Sequence, residues 1–290
     1  MQIRHNSSPL ISIHMVFRNE ERFIQEAIAS ALSQTVQDFE LILVDDGSTD
    51  STKARLESFQ DSRIRYFKNP GTGLGAARQF ALKHSRGSWV AIFDADDISL
   101  PDRLELSLEF AKKGNVLVSG QMEEISEEGV TLGQYEFFST DEKHIRARLG
   151  AGYSLCHGAS LYRAQVAREV GGYSDSPRLI GEDEDLFIRL AAIGPIGNLK
   201  KTLIKRRIHR GSVCTEFQKK QWVPLSFLFR QSKLREAAYF ARLGKAALKG
   251  GESWKGAQFY LKSLASCPLK MNGWLGLSKT MLSAFSRLFL

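Results

Sequence analysis

Short apolar runs alternate with amphipathic segments along the first half of the chain, and this alternation constrains the fold more than any other feature. Five apolar runs predict buried strands: Leu10–Val16, Phe39–Val44, Ile64–Phe67, Trp89–Phe93 and Val116–Ser119. The segments between them place apolar residues at helical spacing, as in Glu20–Gln34. Strands that are apolar along their length and are joined by helices predict an α/β fold, with a mostly parallel sheet covered by helices on both faces.

The charges divide the chain into two parts. Residues 218–290 hold 13 lysines or arginines but only two acids, a balance of +11 within a chain whose net charge is +8. The residues before them are mildly acidic, and the pattern beyond Phe217 is helical throughout. We therefore predict a catalytic domain at residues 1–217 and a basic, α-helical carboxy-terminal region at residues 218–290, whose charge would suit an anionic surface.

Targeting signals and a disulfide framework are absent from the sequence pattern. No apolar run is long enough to span a bilayer, and the amino terminus lacks the apolar centre of a signal peptide. The three cysteines, Cys156, Cys214 and Cys267, are too few and too scattered for a set of disulfides or a cysteine zinc site. These features predict a cytoplasmic protein.

Two acidic clusters follow predicted strands. Asp45 and Asp46 come after the second strand, and Asp94, Asp96 and Asp97 come after the fourth. Ligands of parallel sheets bind beyond the carboxyl ends of the strands, so both clusters are expected at the same edge. Carboxylates packed this closely repel one another unless a cation binds, and Mg²⁺ or Mn²⁺ favours such oxygen ligands together with phosphates.

Each cluster also has a purely structural interpretation. The segment at Asp94–Asp97 fits a solvated loop in which Asp97 or Ser99 caps the helix that follows Pro101. The segment at Asp45 fits a turn followed by a helix cap.

A glycine-rich turn, residues 69–75, opens the next predicted helix. Its spacing, G-x-G-x-G, matches neither the dinucleotide fingerprint nor a Walker loop, which disfavours a hydride-transfer enzyme. Close approach of its backbone to a diphosphate remains open. Arg78, one turn into the helix, is placed either to reach a phosphate or to pair with a surface acid.

Four acids, Glu182-Asp183-Glu184-Asp185, open a later helix. Acids are favourable at helix amino termini, which is the structural interpretation, but four in succession exceed what the helix dipole requires. A catalytic role is the alternative. His209, between Arg207 and Arg210, would by itself be a surface residue, and it forms no zinc pattern with the cysteines.

An ordered series of motifs resembles family 2 glycosyltransferases, which have the GT-A fold. The series consists of LISIHMVFRNEERF through LILVDDGSTD, then GLGAARQFALKHSRGSWVAIFDADD, Gly171-Gly172-Tyr173, EDEDLFIRLAAIG and RIHRGSV, and it covers residues 9–215. Each motif alone is weak, whereas the ordered set is specific.

The resemblance implies a role for each matching residue. Asp45 would bind the nucleotide base, with Asp46 supporting the same pocket. Asp94 and Asp96 match the family's D-x-D motif; Asp96 would be a direct ligand of Mn²⁺ or Mg²⁺, and Asp94 would contact the ribose or the metal shell. His209 resembles the histidine that completes the metal or diphosphate site.

The acids of the later helix complete the implied site. Asp183 matches the general base that deprotonates the acceptor hydroxyl, Glu182 is its neighbour, and Asp185 is a second candidate. The implied reaction is an inverting, metal-assisted single displacement from a nucleoside-diphosphate sugar.

Partners and competing functions follow from the same comparison. The resemblance implies a saccharide or lipid-linked saccharide acceptor, with residues 218–290 either holding the enzyme at an anionic membrane or only packing on the catalytic domain.

Nucleic-acid binding is disfavoured because the aromatic residues lie on helical apolar faces. Alternatives from other classes are a nucleotidyltransferase and a catalytically silent relative, which either only binds sugar nucleotides or is a scaffold at the membrane surface. Gln218-Lys-Lys-Gln-Trp222 lacks the processive Q-x-x-R-W motif, which predicts addition of a single sugar.

Overall fold

The structure, a computed structural model, describes residues 8–134, 138–149, 154–174, 181–209, 257, 258, 260 and 261. Its strands are β1 (Ile11–Phe17), β2 (Phe39–Asp45), β3 (Ile64–Lys68), β4 (Trp89–Ile92), β5 (Ile98–Ser99), β6 (Leu117–Ile125), β7 (Thr131–Gln134), β8 (Leu161–Arg163) and β9 (Ile196–Arg207). Its α-helices are α1 (Ile24–Leu32), α2 (Thr52–Leu56), α3 (Leu74–His84), α4 (Arg103–Ala111), α5 (Glu142–Arg148), α6 (Ala164–Glu169) and α7 (Glu182–Ala191), with a 3₁₀ turn at His157–Ala159.

Within these residues the strands form one sheet in the order β3-β2-β1-β4-β8-β6-β9-β5, and β7 pairs with β6. The four strands β3, β2, β1 and β4 are parallel, as are β6 and β9. β8 joins the two parts by antiparallel pairing with β4 and β6. The prediction of a mostly parallel α/β sheet is confirmed, and the remaining antiparallel pairs are β5 with β9 and β6 with β7.

Apolar side chains alternate between two faces of the sheet. Ile11, Ile13 and Met15 of β1 pack with α1 and α4 on one face. Val90 and Ile92 of β4 pack on the other face, in a core that includes residues of α6 and α7. The sheet is thus covered by helices on both faces, as continuous apolar strands require.

Several predicted elements differ from the observed ones in length or partner. A hairpin joins β6 and β7, and Gly129 adopts a φ of 83° in its turn. β6 is longer than the predicted strand at Val116–Ser119 because its second half pairs with both β7 and β9. Such long-range pairing has no local sequence signal.

The described part of the chain contains no helix that is both long enough and apolar enough to cross a membrane. Apart from residues 257, 258, 260 and 261, the predicted basic helical region at residues 218–290 lies outside the described residues, and so does the segment Gln218–Trp222. The division at residue 217 therefore stays a prediction.

Candidate active site

The acidic clusters meet at one edge of the sheet. β2, β1 and β4 are neighbours, and the chain leaves their carboxyl ends at Asp45, Phe17 and Ile92. The Asp45 and Asp94 clusters therefore flank the loop that follows β1, as the position of each acid after a strand predicts.

Asp45 and Asp46 have different partners although they are adjacent. Asp45 is buried; the backbone N–H of Ser48 donates to its Oδ1 (2.7 Å), and the Tyr66 hydroxyl donates to its Oδ2 (3.1 Å). Asp46 accepts instead from the glycine-rich turn, at the backbone N–H groups of Thr72 (2.9 Å) and Gly73 (2.9 Å). Asp46 therefore orders the turn, while Asp45 faces Tyr66.

The glycine-rich turn is built for close backbone approach. Gly71 and Gly73 have φ values of 82° and 94°, which other residues rarely adopt. A Cβ on Gly75 would lie 2.2 Å from the carbonyl oxygen of Ser174, so only glycine allows the start of α3 to approach that backbone. This packing brings the start of α3 beside Ser174.

Arg78 joins the D-x-D motif to the acids of α7. Its Nη1 donates to Glu182 Oε1, and its Nη2 lies 3.6 Å from Asp94 Oδ1. The guanidinium is buried, and so is most of the Glu182 side chain, whereas the Asp94 side chain is 39% exposed. The contact of Arg78 with a phosphate stays a prediction. Two motifs that are about 90 residues apart in sequence thus contact the same arginine side chain.

Asp94 has little free space around one carboxylate oxygen and several charged neighbours. A Cβ on Gly158 would lie 2.7 Å from Asp94 Oδ2, so the glycine leaves the space that the carboxylate occupies. Burial raises the pKa of the Asp94 carboxyl, and the Arg78 guanidinium opposes that shift. The charges of Asp96 and Asp183 raise it further. Such crowding favours a bound cation or a group with a positive charge.

Asp96 and Asp97 point to different partners. Asp96 Oδ2 lies 3.0 Å from Nε2 of His209, and this hydrogen bond raises the pKa of the histidine. Asp97 is buried and accepts from the backbone N–H of Arg207 (2.9 Å). Burial, together with the charges of its two neighbouring acids, raises the pKa of Asp97 well above its usual range.

The helix-cap interpretation of the Asp94–Asp97 segment is wrong. α4 begins after Asp102, and no side-chain hydrogen bond caps it. Asp97 binds β9 instead, and Ser99 accepts from the Gln34 side chain (3.0 Å). The surrounding strands, rather than the next helix, take up these polar groups.

The four acids of α7 separate into two environments. Asp183 is half-buried, its Oδ1 accepts from the backbone N–H of Glu184 (2.8 Å), and its charge contributes to the raised pKa of Glu182, whose main cause is burial. Asp185 is fully buried and pairs with Arg189 (2.6 Å). Its expected role as a second candidate base is wrong, since a carboxylate enclosed in this ion pair is out of reach of an acceptor hydroxyl.

Glu20 is a residue of the site that the motif analysis missed. It lies in the loop after β1, and its backbone N–H donates to the Thr52 hydroxyl (2.8 Å). Burial, and next the charge of Asp96, raise the pKa of Glu20 to about 7, while His209 opposes the shift. Its position after a strand at the same edge was a usable signal, because the other two clusters were found by that rule.

The residues at Asp96 fit a divalent cation that is held mainly by phosphates. Within the described ranges, no group of three or more histidines, cysteines or acids converges as a complete metal site. Asp96 Oδ2 and His209 Nε2 nevertheless lie together at a hydrogen-bond distance of 3.0 Å, so that a carboxylate oxygen and an imidazole nitrogen are available side by side as two ligands of one ion. Mg²⁺ and Mn²⁺ sites of this kind use few protein ligands, and the donor set here agrees with one.

Comparison with known proteins identifies a shared family. The sequence model described as Glycosyl transferase family 2 matches residues 12–171, more than half of the chain. The Bacillus subtilis (strain 168) protein EpsE, described as a glycosyltransferase, is 36% identical over 211 residues, which are 70% of this chain and 74% of EpsE. The Escherichia coli UDP-Glc:α-D-GlcNAc-diphosphoundecaprenol β-1,3-glucosyltransferase WfgD is 38% identical over 108 residues, which are 37% of this chain and 43% of WfgD.

A solved structure supports the fold. Staphylococcus aureus TarS 1–349, in complex with UDP-GlcNAc, superposes with a TM-score of 0.61 and 17% identity, over 93% of this chain and 79% of that one. At this identity the likeness concerns the fold, which is of the GT-A type.

Proposed function

The chain belongs to glycosyl transferase family 2, and on that premise we propose that it moves a sugar from a nucleoside-diphosphate sugar to an acceptor hydroxyl by metal-assisted single displacement. It is a glycosyltransferase with a nucleotide-sugar donor; the mechanism, the metal, the site residues and the acceptor are the proposal. The observation that carries it is the shared contact of Arg78 with Asp94 and Glu182, which brings the D-x-D motif and the start of α7 into one cleft.

The donor would bind along the ends of β2 and β4. Asp45 would accept a hydrogen bond from the base, with its carboxylate oriented by Ser48 and Tyr66. Asp46 would act through the glycine-rich turn, because its hydrogen bonds hold that turn. Arg78 is close enough to Asp94 for its guanidinium to contact the diphosphate beside it.

The cation would be held on the same side of the cleft by Asp96 and His209, with Asp94 as a further ligand or a contact of the ribose. When bound, Mn²⁺ or Mg²⁺ would neutralise the negative charge that develops on the leaving diphosphate. Asp96 and His209 would hold their ligand atoms in place beforehand, and Asp94 would add negative charge close by.

Acceptor activation would occur at the start of α7. Asp183 would take the proton of the acceptor hydroxyl as its oxygen forms the bond to the anomeric carbon and the bond to the diphosphate breaks. Glu182 would remain paired with Arg78 and would hold Asp183 beside the donor. Because attack and departure occur on opposite faces of the sugar, the product would have inverted anomeric configuration.

The acceptor would be a cell-surface polysaccharide intermediate or a lipid-linked oligosaccharide. WfgD, by its name, acts on a sugar carried by diphosphoundecaprenol, and this chain resembles it over 108 residues. The basic residues of 218–290 would hold the enzyme peripherally at the inner face of an anionic membrane, where such an acceptor is found.

The decisive experiment is calorimetric titration of the full chain with ADP, GDP, UDP, CDP and dTDP, each with Mn²⁺ and again with EDTA. We expect Mn²⁺-dependent binding of one nucleotide, weakened more than about 100-fold in Asp96→Ala, because losing a ligand should exceed the 10–100-fold effect of its supporting residues. Asp102→Ala, an exposed aspartate that makes no side-chain cap on α4, is the matched control. If no nucleotide binds under either condition, the donor site is refuted and the silent-scaffold alternative gains support.

A further inference from the structure

Arg207 makes more contacts to the site than its position at the end of β9 suggests. Its Nε donates to the carbonyl oxygen of Asp96 (3.0 Å), and its backbone N–H donates to Asp97 Oδ1 (2.9 Å). Its Nη1 donates to the carbonyl oxygen of Glu127 (2.6 Å), and its Nη2 donates to Glu26 Oε2 (2.5 Å). One buried guanidinium therefore connects the D-x-D loop, the β6–β7 turn and helix α1.

The aromatic ring of Phe23 couples Arg207 to His209. The Arg207 guanidinium lies 4.8 Å from the ring centroid of Phe23, and the imidazole of His209 lies 4.9 Å from the same centroid. His209 is also two residues beyond Arg207 on the same chain segment. Arg207 thus contacts the backbone of Asp96 directly and the ring of His209 through Phe23. Asp96 and His209 are the two residues whose side chains lie 3.0 Å apart.

We propose that Arg207 is a positioning residue: it holds Asp96 and His209 beside each other, so that their side chains can bind one divalent cation together. The inference rests on the proposed function, since it concerns the cation of that site. A lysine retains the charge but cannot reproduce the contacts, because its single ammonium lacks the planar fork that reaches Asp96, Glu127 and Glu26 at once.

A purely structural role makes a different prediction. If Arg207 served only to attach the β6–β7 turn to α1, its loss would lower stability and leave the affinity for the cation unchanged in the folded fraction. A positioning role instead requires that the affinity for Mn²⁺ fall in molecules that remain folded. The measurement must therefore separate cation affinity from folding and from the rate of transfer.

The test is an Mn²⁺ titration of the full chain in the presence of UDP, followed by the electron paramagnetic resonance signal of free Mn²⁺. In Arg207→Lys we expect an affinity about 10–100-fold lower than that of the unmodified chain, the range typical of residues that orient metal ligands. Lys205→Arg is the matched control; Lys205 lies on the same strand as Arg207 and pairs with Glu123 (3.8 Å), and we expect a change of less than about 2-fold. UDP affinity in EDTA should be the same in all three proteins.

The outcomes separate this inference from the proposed function. If the unmodified chain binds no Mn²⁺ with UDP or with any other nucleoside diphosphate, the metal site itself is refuted. If it binds Mn²⁺ and Arg207→Lys binds it equally well, only the positioning role is refuted. A second readout is the Mn²⁺ concentration for half-maximal donor hydrolysis, which should rise in Arg207→Lys while the rate at saturating Mn²⁺ is largely restored.

A milder variant carries the test if Arg207→Lys does not fold. Phe23→Leu removes the ring that both Arg207 and His209 contact and leaves the hydrogen bonds of Arg207 intact. We expect Mn²⁺ affinity to fall about 10-fold, the lower end of the same range. An unchanged affinity in folded Phe23→Leu would refute the positioning of His209 by Arg207 through this ring.

Discussion

The two acidic runs, Asp94–Asp97 and Glu182–Asp185, look alike in sequence but hold their acids in two different ways. In each run the last carboxylate is buried and attached to the fold: Asp97 accepts from the backbone of Arg207, and Asp185 pairs with Arg189. Of the acids that precede them, Glu182 pairs with Arg78, whereas Asp94, Asp96 and Asp183 are partly exposed, and we call these three the cleft acids. A run of acids at a strand or helix end therefore combines a structural group with groups that are available for chemistry.

The attached acids differ from the cleft acids in what surrounds them. Asp185 is enclosed by Arg189, which also donates to the carbonyl oxygens of Val170 and Gly172 (2.8 Å each), so this ion pair ties α7 to the preceding turn. Asp94 instead has its pKa raised by burial and by neighbouring acids. We infer that removing an attached acid lowers stability, whereas removing a cleft acid lowers activity or raises stability.

The largest expected effect concerns the cleft acid of α7. Asp183→Asn should lower the rate of donor hydrolysis, with water as the acceptor, by about 10²–10⁴-fold, because the amide cannot accept the proton of the attacking hydroxyl. Binding of the donor nucleotide with Mn²⁺ should be unchanged in calorimetry. A rate within about 3-fold of that of the unmodified enzyme would refute the general-base assignment.

A smaller effect is expected two residues further along the same helix. Asp185→Asn should lower the free energy of unfolding by about 3–5 kcal/mol, because it leaves the Arg189 charge buried without its carboxylate. The measurement is denaturant unfolding followed by circular dichroism. Asp183→Asn is the matched variant on α7 and should change stability by less than about 0.5 kcal/mol. Equal effects of the two substitutions would break the distinction between attached and cleft acids.

The smallest effect is expected for the substitution Glu20→Gln, which should make the protein more stable than the unmodified chain as the pH rises. Burial, and then the charge of Asp96, raise its pKa from 4.5 to about 7, so between these values the native state keeps a proton that the unfolded chain has released. The contribution of Glu20 to stability therefore declines as pH rises from about 4.5 to about 7, and glutamine lacks this dependence.

Thermal unfolding in EDTA measures this difference. Glu20→Gln should unfold at about the same temperature as the unmodified chain at pH 4.5, and at a higher temperature at pH 8, by about 2–4 °C for each kcal/mol that the buried charge costs. Glu57→Gln, at the exposed end of α2, is the control and should show no pH-dependent difference. A loss of stability in Glu20→Gln at pH 8 would mean that the ionised Glu20 carboxylate stabilises the fold, as an attached acid does, instead of being destabilised by burial and by the charge of Asp96.

Much of the fold was predictable because its signals are local. The apolar runs at Phe39 and Trp89 became buried parallel strands, and the rule that ligands bind beyond strand ends placed Asp45 and Asp94 at one edge. The pairing of β8 between β4 and β6 was not predictable, because β8 is three residues long and its partners are distant in sequence.

The sequence predicted which residues belong to the candidate site better than it predicted how they are arranged. The motifs singled out Asp96 and His209, and the structure places them 3.0 Å apart. They gave no reason to separate Asp183 from Asp185, since both stand in one run of acids at the start of α7. They also gave no role to Gly158, whose missing side chain leaves room for Asp94.

The sequence by itself determined the class of fold, the family and the set of acids at the sheet edge, because periodicity and motif order are written along the chain. Only the tertiary structure decided which of those acids are attached and which face the cleft. That decision depends on burial and on partners such as Arg78, Arg189 and Arg207, which contact acids on other segments or one helical turn away. The charge of a side chain is a property of the sequence, whereas its electrostatic environment is a property of the fold.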